Sequence, residues 1–220
     1  MTAATNIAWT THGDWRRRSS LPIIVWVHGL GESGADWARC IDALPAFRHL
    51  TLDLGGHGAS PAPSTPTLAL WAGDVGAAIR AAGATDVPLV LVGHSLGGAV
   101  VLEFALSSAP ATRVAGLVLA ATSARVSAKG RAFWAARAAE AQARGEQRQS
   151  ANMQCLSKGY DFEPRLSELQ LPVLLLHGSA DKLVPPRASA QLAAALQPRA
   201  EVAVVEGEGH DVARSPRGIA

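Results

Sequence analysis

The stretch Leu89-Val90-Leu91-Val92-Gly93-His94-Ser95-Leu96-Gly97-Gly98-Ala99-Val100-Val101 decides how the rest of the chain is read. Four branched apolar residues form a short run of the kind found in strands buried on both faces. The apolar stretch from Ala99 to Leu106 reads as a helix. Between them lies G-x-S-x-G, a turn so sharp that the serine occupies a strained backbone position and the residues two places either side must lack bulk. Gly93 and Gly97 meet that need, and Gly98 lets the helix approach the sheet. The helix N-terminus then brings backbone N–H groups and a positive dipole beside Ser95. A serine so placed is a nucleophile candidate; the competing reading is a glycine-rich turn with an incidental serine.

Outward from this turn, the same alternation repeats. Pro22–His28, His49–Leu54, Pro88–Gly93, Val114–Ala121, Pro172–His177 and Glu201–Val205 read as strands buried on both faces, with Asn6–Thr11 as a weaker candidate. Gly34–Leu44, Leu68–Ala82, Ser95–Ser108 and Arg187–Leu196 read as helices. Strand alternating with helix predicts an α/β fold: a mostly parallel sheet with helices on both faces and its site at the carboxyl ends of the strands. Residues 122–170 break the pattern. They offer a helical piece around Arg131–Arg144, then a loop-like region to Glu168, and read as a cap inserted after the strand ending near Ala121. The Pro- and Ser-rich segment Ala59–Pro66 reads as a surface loop within one domain spanning 1–220.

Composition narrows the function. The chain has 220 residues, 48% hydrophobic and 17% charged, in the range of one compact domain. Its 20 Lys+Arg against 18 Asp+Glu leave a net +2, with no basic block suited to nucleic acid. Cys40 and Cys155 stand far apart, without metal-ligand spacing, and read as free buried thiols. Met1–Ser20, including Arg16-Arg17-Arg18, has no long apolar run, and no later run approaches the roughly 20 residues of a membrane span. The location expected is cytoplasmic, with no metal and no cofactor.

Three motifs together carry a resemblance. The Ser95 turn, His28-Gly29-Leu30-Gly31 after the first strong strand, and Asp53-Leu54-Gly55-Gly56-His57-Gly58-Ala59-Ser60 after the next resemble the α/β-hydrolase fold superfamily, notably its serine esterase-like members. A serine hydroxyl needs a base, and the base needs an acid to hold it. The family order is Ser, acid, His. His177-Gly178-Ser179-Ala180-Asp181 and Gly207-Glu208-Gly209-His210-Asp211 each follow an apolar run, which makes Asp181 the candidate acid and His210 the candidate base. Glu206, Glu208 and Asp211 lie too close to His210 in sequence to brace it from another strand end, while Asp181 could alternatively cap the helix that follows it. The resemblance implies an oxyanion hole from the backbone N–H groups of Leu30 and Leu96, and a substrate pocket near His28, Gly29, His94 and Trp134. His28, His57, His94 and His177, beside glycine turns, read as braces of their loops rather than proton-transfer groups, and His12 and His49, without motifs, as exposed or structural.

The expectation is an ester hydrolase acting on a small-molecule carboxylic ester with a small or medium acyl group. A thioesterase, amidase, C–C hydrolase, cofactor-free perhydrolase or non-catalytic small-molecule-binding member would use the same motifs. Within the cap, Arg125, Lys129, Arg131, Arg137, Arg144 and Arg148 outnumber Glu140 and Glu146. Arg137, Glu140, Arg144 and Arg148 are expected on one helical face, opposite Trp134, Ala138 and Ala141. That basic face is either solvated or a dock for an acidic partner such as an acyl carrier protein. About ten residues follow His210, where the family usually continues into a final helix. If that helix is absent, the exposed sheet face predicts a homodimer or modest stability.

Overall fold

The computed structural model of the chain describes residues 6–16, 19–107 and 112–219. Arg17, Arg18 and Ser108, named above, lie outside the described residues. The apolar runs become seven strands: β1 (Trp9–His12), β2 (Ile23–Val27), β3 (Arg48–Leu52), β4 (Leu89–His94), β5 (Val114–Ala120), β6 (Val173–Gly178) and β7 (Ala200–Val205). They form one sheet in the order β1-β3-β2-β4-β5-β6-β7. Only the β1–β3 pair is antiparallel. The helices are α1 (Ala38–Ala43), α2 (Leu68–Ala81), α3 (Leu96–Ser107), α4 (Ala128–Ala143), α5 (Gln147–Lys158), α6 (Arg187–Leu196) and α7 (Pro216–Ile219).

Side chains alternate across a strand, so each central strand feeds two cores. Ile23, Val25 and Val27 of β2, Leu89 and Leu91 of β4 and Leu175 of β6 pack with α2, α3 and α6 in the larger cluster. Ile24 and Trp26 face the other way and meet Val92, Ala120, Trp37 and Cys40. Leu91 is fully buried in the larger cluster, and truncating such a leucine costs roughly 2–5 kcal/mol. The chain leaves β2 toward β3 and returns to β4 on the opposite side. That reversal opens a crevice at the carboxyl ends of β2 and β4, between the Gly29–Gly31 loop and Ser95.

Three expectations need correction. β7 is not buried on both faces: Val202 is 43% and Val204 53% exposed, and among the described residues β7 is a sheet edge paired with β6 alone. The region read as loop to Glu168 contains the 12-residue helix α5 and a short 3-10 segment, Glu163–Glu168. α5 packs against α4 through Ala138, Ala141 and Met153, with the Ser150 hydroxyl donating to the Ala138 carbonyl at 2.9 Å. Arg148 therefore sits on α5, not on the face shared by Arg137 and Glu140. Both cysteines are buried and free; burial pushes the Cys40 thiol up to about 11.

Candidate active site

Ser95 sits between β4 and α3 with φ 52°, a left-handed conformation rare outside glycine. Its N–H donates to the Ala120 carbonyl at 2.8 Å, and its carbonyl accepts from the Thr122 hydroxyl at 2.8 Å. The flanking glycines are obligatory at this spacing. A Cβ on Gly97 would strike the Val27 carbonyl, and one on Gly93 would strike the Gly97 carbonyl. A Cβ on Gly98 would lie 2.7 Å from Thr122.

The loops after β6 and β7 complete a chain of hydrogen bonds. His210 Nε2 lies 2.9 Å from Ser95 Oγ, and His210 Nδ1 lies 2.8 Å from Asp181 Oδ2. With Nδ1 carrying the proton for Asp181, Nε2 is free to accept the serine proton. Asp181 is buried at 6% exposure. Its Oδ1 accepts the backbone N–H groups of Leu183 and Val184 at 2.8 and 2.9 Å. Burial alone would raise its carboxyl, but hydrogen bonds from His177, His210 and Val184 overcome this and hold it well below the usual carboxylate range. His177, whose sequence position suggests only a brace for its own loop, also supports this acid. Its Nε2 donates to the Val184 carbonyl at 2.8 Å and lies 3.3 Å from Asp181 Oδ2, while Nδ1 meets the Ser189 hydroxyl at 2.6 Å.

Among the described residues, neither the Leu30 nor the Leu96 N–H is engaged by a protein acceptor. The loop carrying Leu30 is braced from both ends. The buried His28 ring donates from Nδ1 to the Gly29 carbonyl at 2.7 Å and accepts the Leu54 N–H on Nε2 at 3.0 Å. Burial holds His28 below the ordinary imidazole range, the neutral form this pairing needs. Gly29 N–H donates to Glu32 Oε2 at 2.7 Å.

A cleft of about 260 Å³ opens beside Ser95 and Leu96. Trp134, Leu156 and Tyr160 reach it from the helical insertion, facing Leu183 and Val184. Trp134 is thus in the expected pocket, but His28, Gly29 and His94 do not line it. Both imidazoles are buried and turned into loop hydrogen bonds, His94 toward Glu32 and the His210 carbonyl. Of the basic residues in the insertion, Arg125 pairs with Glu163 at 3.1 Å, Arg137 with Glu140 at 3.4 Å and Arg144 with Glu146 at 2.8 Å.

Glu32, His94 and Asp211 bring ligand-type atoms within 4.8 Å of one another. Arg214 Nη2 lies 2.8 Å from Glu32 and 2.6 Å from Asp211, so a guanidinium holds the place a cation would take. No helix among the described residues is long and apolar enough to cross a membrane.

The sequence profile of the alpha/beta hydrolase fold family matches residues 22–154, and that of serine aminopeptidase S33 matches residues 135–217. Lipase LipV of Mycobacterium tuberculosis is 38% identical over 96 residues, 44% of this chain and 35% of its own length. The chain thus spans about a third of that curated relative. A thermophilic esterase from Thermogutta terrifontis superposes with a TM-score of 0.78 at 22% identity, over 94% of this chain and 87% of that one. Esterase RhEst1 from Rhodococcus sp. ECU1013 does so with 0.73 at 26% identity, over 93% and 87%.

Proposed function

From the premise that this chain belongs to the alpha/beta hydrolase fold family, we propose that it is a serine hydrolase cleaving carboxylic esters of small or medium acyl groups. The observation that carries the reading is the relay from Asp181 through His210 to Ser95 Oγ, with both hydrogen bonds under 3 Å. Ser95 Oγ attacks the acyl carbon while His210 Nε2 takes its proton, and Asp181 stabilises the imidazolium. The carbonyl oxygen becomes an oxyanion facing the Leu30 and Leu96 N–H groups, donors whose orientation the protein fixes before reaction. The C–O bond to the alcohol then breaks, and His210 hands its proton to the departing oxygen. Water attacks the acyl-enzyme by the same route, with His210 as base, releasing the acid and restoring Ser95.

A cleft of about 260 Å³ favours modest substrates, since pockets for drug-sized ligands measure roughly 300–1,000 Å³. Labelling with a fluorophosphonate, combined with turnover of p-nitrophenyl acetate, butyrate and octanoate and their thioester counterparts, tests the reading. Ser95 should be labelled, short oxygen esters should turn over fastest, and Ser95→Ala should lower kcat by at least ~10⁴-fold. Faster thioester turnover would move the assignment to a thioesterase. Absence of labelling at Ser95 would refute the proposal.

A further inference from the structure

Glu32 has no part in the reaction just outlined, yet its carboxylate touches three of the segments that do: the Leu30 loop, the Ser95 turn and the segment after β7. It lies on the loop after β2, with its side chain 17% exposed. Oε2 accepts the Gly29 N–H at 2.7 Å, on the segment that carries Leu30. His94, the residue before Ser95, brings Nδ1 within 3.1 Å of Oε1 and 3.2 Å of Oε2. His94 Nε2 donates in turn to the His210 carbonyl at 2.9 Å. Arg214, just beyond His210, donates from Nη2 to Oε1 at 2.8 Å and to Asp211 Oδ1 at 2.6 Å. The contacts bridge 62 residues of chain to His94 and 182 to Arg214, so they are imposed by the tertiary fold.

The charges suit the arrangement. Glu32 and Asp211 share one guanidinium, and the two His94 ring nitrogens face Glu32 and the His210 carbonyl. Burial would raise the Glu32 carboxyl, but hydrogen bonding and charge from His94, the Gly29 N–H and Arg214 hold it down to about 2. It is therefore ionised at neutral pH.

Resting on the hydrolase reading, we infer that Glu32 is a positioning residue, whose carboxylate holds the Leu30 amide, the Ser95 turn and the His210 imidazole in one fixed relation. Each contact to Glu32 comes from a donor: a backbone amide, an imidazole N–H and a guanidinium. A glutamine there must turn its NH₂ toward at least one of them, which separates one loop from the other two. A displacement of about 1 Å in such a site, or loss of one oxyanion donor, slows reaction by roughly 10²-fold or more.

Glu32→Gln should therefore lower kcat for p-nitrophenyl acetate about 10²-fold, with KM within roughly threefold and the melting transition still cooperative. Ring ¹⁵N NMR should show the His210 resonances moving along with those of His94 and the Gly29 amide. A merely local structural role would move the last two and spare His210. Glu140→Gln, which removes an exposed ion pair from the surface of α4, should change neither readout. Should Glu32→Gln fail to fold, Arg214→Gln carries the test, with an expected loss of about tenfold in kcat and the same split from KM. Either folded variant retaining wild-type kcat, losing activity only through KM, or leaving His210 unmoved would overturn the inference. If the wild-type protein neither turns over esters nor labels at Ser95, the hydrolase reading falls alone, because the NMR comparison still decides whether Glu32 reaches His210.

Discussion

Replacing Asp181 by asparagine keeps the shape of the side chain and exchanges one oxygen for an NH₂, and the surroundings dictate which one. Oδ1 accepts two backbone N–H groups, from Leu183 and Val184. An amide NH₂ at that position would face both donors, so the asparagine oxygen must stay there. Its NH₂ then occupies the Oδ2 position, 2.8 Å from His210 Nδ1. Two donors now meet, and the imidazole responds by moving its proton to Nε2, the nitrogen 2.9 Å from Ser95 Oγ. In that tautomer His210 has no lone pair for the serine proton.

The same change in a protease with a Ser-His-Asp relay costs about 10⁴-fold in kcat, equivalent to roughly 5 kcal/mol of transition-state stabilisation. Asp181→Asn should show a loss of that order in both p-nitrophenyl acetate turnover and the rate of fluorophosphonate labelling. Circular dichroism melting would establish that the variant is folded. A folded Asp181→Asn protein within tenfold of the wild-type rate at pH 7 would refute the tautomer argument and the role given to Asp181.

Three other outcomes are open to simple measurement. Gly73 lies exposed in α2, and a Cβ added there would meet no heavy atom within 4 Å, so Gly73→Ala should raise stability by about 0.5–1 kcal/mol and Tm by roughly 1–4 °C; an unchanged or lower Tm counts against it. Burial, then the neighbouring His28, lower His57 from 6.5 to about 4. The unfolded chain therefore binds the extra proton in that window, and stability should fall by on the order of 3 kcal/mol as pH drops from 6.5 to 4. Below about 4.5, the depressed Glu32 carboxyl adds a further loss, extending toward pH 2. Urea titrations across this range should show a flatter 6.5–4 segment in His57→Gln, and equal slopes would contradict the assignment. Trp134→Ala should widen the cleft and move the preferred acyl chain at least two carbons longer while Ser95 labelling persists; an unshifted chain-length profile would remove Trp134 from the pocket wall.

What could be read in advance was whatever lies directly beyond an apolar run. Ser95, Asp181 and His210 each follow a strand within a few residues, so local pattern and chain order locate them before any packing is known. Side-chain direction was not legible in the same way. His28 and His94 adjoin the site in sequence, yet both rings point into loop contacts, where carbonyl, amide and carboxylate partners satisfy the nitrogens that burial takes from water. Helix α5 escaped because its buried face includes Ser150 and Asn152, which satisfy backbone groups of Ala138 and Gly56 rather than forming an apolar stripe. Its ends did carry a signal, in Gly145 and Gly159 at φ 77° and 78°. The exposure of β7 goes with its place at the sheet edge among the described residues, a property of sheet order that Val202 and Val204 do not encode. Glu32 is the sharpest case. One carboxylate in a glycine-rich loop looks like solvation, and only the approach of His94 and Arg214 from distant segments makes it a junction. Groups placed directly beyond a strand are announced by that strand, whereas groups that hold such loops in register with one another emerge only when the chain has closed.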